Sequence, residues 1–153
     1  MVARALSPRR WVRGRRDERD IELAKAMVAA FIAQDAERML ALADPGISVA
    51  GAPIAERTGR PAPYIGQEGL RELVRDLAKT WTDLQVMPRE YCHVGGAVLV
   101  TATMTAHSPG GMLTGSVAWV YRVRRRKVVS VEVFRCREDA LAEVDRVAAT
   151  SRT

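Results

Sequence analysis

The chain has 153 residues, 48% hydrophobic and 27% charged, which fits a single globular domain and excludes an intrinsically disordered protein. No apolar run approaches the ~20 residues needed to cross a bilayer, so no membrane partner is expected. The formal charge of +6 is unevenly placed: residues 1–19 carry seven arginines against Asp17 and Glu18, and the remaining chain is within one charge of neutral.

That arginine-rich stretch has no apolar core of signal-peptide length. It reads as a disordered tail over 1–19, as a start placed upstream of the domain, or as an arm for nucleic acid or another anionic surface. Nucleic acid is not expected as a partner except through this tail. The domain proper is expected over 20–149, with 150–153 as a short C-terminal tail.

In chain order, Ile21, Ala24, Met27, Val28, Phe31 and Ile32 have the spacing of an amphipathic helix over 20–33, with Asp20 as its N-cap. A short second helix over 36–43 follows, capped by Asp35 and stopped by Asp44-Pro45-Gly46. Residues 47–50 make a first strand, and 51–63, rich in glycine, proline and alanine, a loop. The third helix, over 66–82, has Leu70, Leu73, Val74, Leu77 and Trp81 on one stripe. Its charged face offers Glu72–Arg75 and Asp76–Lys79 as pairs at three-residue spacing.

Four strands come next. The first covers 84–93, then Gly95-Gly96 turns the chain into 97–106. There Val98, Val100, Ala102, Met104 and Ala106 alternate with Thr101, Thr103, Thr105 and His107, one face apolar and one polar. Residues 112–134 form a long hairpin around the basic turn Arg124-Arg125-Arg126-Lys127, a turn expected to be simply solvated. Val117, Trp119, Tyr121 and Val123 share a face of one strand, and Val129, Val131 and Val133 share a face of the other. A last helix is expected over 137–149. Helices set to one side of antiparallel strands define an α+β class.

Cys92 and Cys136 are the only cysteines, and without a secretion signal they indicate free thiols in a cytoplasmic protein. His93 and His107 are the only histidines, and no CxxC or HExxH motif occurs, so neither a metal site nor a cofactor is expected.

The segment Tyr64-Ile65-Gly66-Gln67-Glu68-Gly69-Leu70-Arg71-Glu72-Leu73 resembles the opening of the third helix in the nuclear transport factor 2-like superfamily. The likeness is to its SnoaL-like members, which include polyketide cyclases and relatives of ketosteroid isomerase. Trp81 and the hairpin 116–134 add to it, and the resemblance covers about residues 20–145. It implies a curved antiparallel or mixed sheet closed by N-terminal helices into a cone, a cystatin-like α+β barrel with an internal pocket. It also implies a homodimer formed through the sheet's outer face, where the threonines would lie. The implied pocket residues are Met27, Phe31, Tyr64, Trp81, Val100, Ala102, Met104, Trp119, Tyr121, Val131 and Val133, with Val98, Val117 and Val74 beside them.

The resemblance also tests particular reactions. The ketosteroid isomerase base would align with Ala50 or Gly51, its tyrosine with Met27 and its second acid with Trp119 or Ala118. The last aspartate of the epoxide hydrolases would align with Val133. Neither catalytic set is therefore expected. What remains is an apolar pocket for a small hydrophobic molecule. It would serve either a cyclase or isomerase acting on a polyketide- or steroid-like compound or a non-catalytic binding or dimerisation module. Glu56, from the 51–63 loop, is the acid/base candidate for the first. Glu132 is expected to point outward and pair with Arg122, and His107 to lie on the outer face.

Overall fold

Alternation along three long strands builds the frame of the molecule. In a computed structural model, which describes residues 15–60, 63–80, 85–108 and 110–151, six strands form one mixed sheet. The elements are α1 (Arg15–Ile32), α2 (Ala36–Leu42), β1 (Ala43–Ala50), α3 (Ala52–Thr58), β2 (Tyr64–Ile65) and α4 (Gly66–Thr80). They continue with β3 (Gln85–Val94), β4 (Ala97–Ser108), β5 (Gly111–Arg124), β6 (Lys127–Phe134) and α5 (Arg137–Ser151). The strand order is β2-β1-β6-β5-β4-β3, with β1 parallel to β6 and every other pair antiparallel.

Register places one side chain from each strand in a single row across the sheet. His93 pairs with Val98, Val98 with Tyr121, Tyr121 with Val131, Val131 with Val49, and Val49 with Tyr64. A neighbouring row runs from Tyr91 through Val100 and Trp119 to Val133. Because strand side chains alternate, both rows face the same way, toward α1, α2 and α4. The opposite face carries Leu99, Ala118 and Val120, which pack with Ala140 and Val144 of α5. The outer face is thus part apolar and covered by a helix, where the sequence pointed to threonines alone.

Several boundaries differ from expectation, each for a local reason. α1 begins at Arg15, not at Asp20, with Asp17 and Glu18 in its first turn, where the helix dipole favours acids. Asp20 therefore lies within the helix instead of capping it, and its Oδ2 sits 3.2 Å from His93 Nε2, fixing α1 to β3. Asp35 does cap α2, accepting a hydrogen bond from Arg38 N at 3.1 Å. The expected 51–63 loop contains α3, which Pro53 suits near its start and Gly59 ends in a left-handed conformation. Facing the core from β6 is Val128 rather than Val129, because a bulge between β5 and β6 pairs Arg122 with Ser130 and Val123 with Val128.

Helix α4 uses its charges over longer distances than its own sequence suggests. Glu72 accepts from Arg60 at 2.8 Å, Arg75 reaches Glu68, and Arg71 reaches Glu37 of α2 at 3.2 Å. The three-residue pairs expected from spacing give way to contacts that tie α2 and the α3 region to α4.

Two of the hairpin turns each use two residues at positive φ. Gly95 and Gly96 (57° and 79°) join β3 to β4, and Arg125 and Arg126 (52° and 65°) join β5 to β6. The left-handed conformation costs a non-glycine residue about 1–2 kcal/mol, so the second turn is strained where the first is not.

Gly51 marks the tightest approach in the fold. It has φ 143°, and a Cβ placed there would sit 2.3 Å from the Val133 carbonyl oxygen. Gly51→Ala should therefore lose about 2–4 kcal/mol of stability, read as a Tm drop of roughly 4–16 °C by calorimetry. An unchanged Tm would show that the α3 connection can move off β6 freely.

Candidate functional site

A cavity of about 80 Å³ lies between the inner face of the sheet and the helices. Trp119, Tyr121, Val131 and Val133 form its floor from β5 and β6, with Val117, Met104 and Val49 extending it. Leu70, Leu73 and Leu77 of α4 form one wall, and Met27 and Phe31 of α1 with Met39 of α2 form the other. Pro53 and Ile54 of α3 complete it. Phe31, Met104, Pro53 and Ile54 are half-buried, so the cavity opens among them. Phe31 meets Trp119 edge to face, with centroids 6.0 Å apart and rings inclined at 75°. Such a pair contributes about 0.5–1.5 kcal/mol beyond its burial and braces the cavity's width.

Of the residues expected at the pocket, Met27, Phe31, Met104, Trp119, Tyr121, Val131 and Val133 line it. Val100 and Ala102 face the same side but are sealed in the core where α1 crosses β4. Tyr64 does not reach the cavity. It is 1% exposed at the far end of the cross-strand row, and its hydroxyl donates to Asp76 Oδ2 at 2.7 Å. The Arg60 guanidinium lies 4.3 Å above its ring. Trp81 lies outside the described residues. The α3 contribution escaped sequence reading because Pro53 suggested a loop, although proline at a helix start is itself a helix signal.

The cavity's chemistry is almost wholly apolar. No carboxylate or histidine is among the described lining residues. Met27, Trp119 and Val133, three of the positions at which the family resemblance was tested for catalytic groups, line the cavity as bulk. Glu56 is exposed on α3 and paired with Arg135. His107 is exposed on β4. Glu132 points to the outer face, as expected, but forms no ion pair with Arg122 among the described residues. Burial and then the charge of Glu143 raise its pKa, while Arg122 and Arg146 lower it. Arg122 Nη2 is buried there without a hydrogen-bond partner. Among the described residues no group of three His, Cys, Asp or Glu side chains is arranged to hold a metal ion.

Tyr121 is the cavity's main polar feature, joined by the Trp119 indole. Its side chain is 4% exposed, and no hydrogen bond from its hydroxyl occurs among the described residues. Burial, followed by the proximity of Tyr91, pushes its pKa far above the usual value near 10, so at neutral pH it is a donor and never a base. Burial is also the first cause raising Tyr64 and Tyr91.

All three tyrosines of the chain thus keep their protons in the folded state above pH 10, where the unfolded chain loses them. Stability should be fully present below pH 10 and fall as pH rises from there through the folded values. Absorbance at 295 nm should show tyrosine ionising later in the native protein than in denaturant. A native titration centred at 10 would contradict the burial of these groups.

Solved structures share this architecture. TerC, co-crystallised with polyporic acid, superposes with a TM-score of 0.69 at 22% identity, over 82% of this chain and 97% of that one. A protein of Jannaschia sp. CCS1 assigned as a SnoaL-like polyketide cyclase gives 0.69 at 14% identity, over 86% and 95%. An uncharacterised cystatin-fold protein of Novosphingobium aromaticivorans gives 0.63 at 25%, over 76% and 97%. No curated protein matches significantly. The SnoaL-like domain model matches residues 24–131, from the first buried turns of α1 to the middle of β6. With the mixed sheet, the helices closing over it and the cavity between them, that match shows that the chain belongs to the SnoaL-like family of the nuclear transport factor 2-like superfamily.

Proposed function

We propose that this protein binds a small hydrophobic molecule in the α1–α4–sheet cavity, with the Tyr121 hydroxyl as hydrogen-bond donor. The observation that carries the reading is an apolar cavity with one uncommitted hydroxyl on its floor. Ligand sites combine an apolar lining with a few polar groups that fix orientation. TerC, similar in fold, was crystallised with polyporic acid. At about 80 Å³ the cavity is below the ~300–1,000 Å³ typical of drug-sized ligands. A polyketide- or steroid-sized molecule would need Phe31, Ile54 and Met104 to move outward at the mouth.

A cyclase or isomerase is the second reading, and Tyr121 suits it as a donor to a substrate oxygen gaining negative charge. Proton abstraction needs a base as well, and the described lining supplies none of the usual groups. That favours binding over catalysis.

A cytoplasmic homodimer is proposed alongside. Cys92 and Cys136 are not joined as a disulfide, and no helix among the described residues is long and apolar enough to cross a membrane. On the outer face, Met87, paired with Thr103, and Met112, paired with His107 further along β4, are 59% and 60% exposed, a strip suited to a second copy. Light scattering should give twice 16.9 kDa, and Thr103→Glu should shift the mass toward the monomer. A monomeric wild type would remove the dimer.

A thermal-shift screen of aromatic polyketides, steroids and terpenoids tests the binding reading. A ligand at a hundred times its Kd stabilises the native state by about 2.7 kcal/mol, a Tm rise of roughly 5–11 °C. Tyr121→Phe should weaken that ligand about 5- to 15-fold while leaving the fold intact. Binding unaffected by the substitution removes Tyr121 from the site, and a panel without any shift removes the reading.

A further inference from the structure

Basic residues that lie a hundred positions apart in the chain meet in one cleft. Arg16 and Arg19 project from the start of α1, and Arg124, Arg125 and Arg126 from the β5–β6 turn, around a space of about 670 Å³. Leu23, Val123 and Asp20 complete its lining. Arg16, Arg19 and Leu23 follow one another at three- and four-residue spacing, which sets them on one face of α1.

This concentration of charge is not neutralised within the protein. All five guanidiniums are exposed, and none forms a hydrogen bond or ion pair among the described residues. The one acid in the cleft, Asp20, is engaged with His93 at 3.2 Å. Asp17 turns to the same histidine at 3.6 Å, and Lys127 is occupied by the Ala41 carbonyl at 2.7 Å. By contrast, six other arginines, Arg60, Arg71, Arg75, Arg135, Arg137 and Arg146, hold carboxylates.

The turn itself adds a second, independent sign. Arg125 and Arg126 occupy left-handed positions that the companion turn fills with Gly95 and Gly96. Asn-Gly would form the same turn without strain. Strain of this kind concentrates where a side chain has work to do.

We propose that the cleft between α1 and the β5–β6 turn binds the phosphodiester backbone of a nucleic acid. Guanidinium forks match phosphate oxygens in pairs, and five of them around one space suit successive phosphates better than one. The described lining has no Asn, Gln or aromatic side chain to read or stack on bases, so the site is assigned to the backbone, without sequence preference. A lipid surface is a poorer match. The site is concave, and the exposed large apolar side chains, Ile32, Ile65, Met87 and Met112, are not part of it.

The test is fluorescence anisotropy of the full chain with a labelled 25-base-pair DNA at 50 and 200 mM NaCl. Five neutralised phosphates give a log–log salt slope near −4.5, or about 500-fold weaker binding at the higher salt. Arg125→Asn with Arg126→Gly keeps or improves the turn, so the fold survives. It should lower the slope to roughly −2.7, a 40-fold salt effect, and weaken binding at 50 mM. Arg16→Ser with Arg19→Ser should do the same from the other wall. Wild-type affinity in both double variants overturns the proposal. So does loss of binding confined to a variant with Arg4, Arg9, Arg10 and Arg13 changed to serine, or binding to phosphatidylglycerol vesicles but not to DNA.

Discussion

The cross-strand row His93–Val98–Tyr121–Val131–Val49–Tyr64 is the constraint on which the rest of this molecule depends. It touches every strand, and side-chain alternation means that a one-residue slip in any strand would turn its inward residues to the outer face. Polar contacts pin the row at both ends: His93 to Asp20 of α1, and Tyr64 to Asp76 of α4. The two helices that roof the cavity are thus held to opposite edges of the sheet whose centre forms its floor. Strand β5 serves twice, since Trp119 and Tyr121 face the cavity while Ala118 and Val120 receive α5.

The same packing explains why the site is apolar. Gly51 lies against the Val133 backbone so closely that a carboxylate side chain has no room where α3 leaves β1. Trp119 and Phe31 fill the space between sheet and α1, and Met27 sits fully buried behind them. Met27, Trp119 and Val133, where the family resemblance directed a search for catalytic groups, serve volume here. Among the described lining residues the main polar asset is a tyrosine whose proton is held by burial, a hydrogen-bond donor at neutral pH.

Charge follows a different logic from packing. Several arginines in the fold join elements, as Arg60 does above Tyr64 and Arg71 does between α2 and α4. The arginines of α1 and the β5–β6 turn join nothing, and they repel one another at low ionic strength. The sequence placed the basicity in a tail separate from the domain. Helix α1 instead begins within that stretch, at Arg15, and carries part of it onto the folded surface.

Helix and strand periodicity made most elements legible, because a 3.6-residue or two-residue repeat records which side of an element is dry. The stripe of α4 and the inward faces of β4 and β5 could be read directly, and the family resemblance pointed to eight of the lining residues, Val117 among them. What could not be read depended on contacts distant in sequence. Val128 replaced Val129 because a bulge changes strand phase without changing composition. Glu72 and Asp76 chose Arg60 and Tyr64 over their helical neighbours because a partner across an interface loses less freedom once the interface is formed. Val100 and Ala102 face inward yet miss the cavity, since only the crossing of α1 decides which part of the inner face stays open. Local sequence therefore determined the elements and their buried sides, which are properties of a few successive residues. Tertiary structure decided the cavity's extent, the burial of Tyr121 and the meeting of the two arginine groups, because each is a distance between segments that sequence order does not contain.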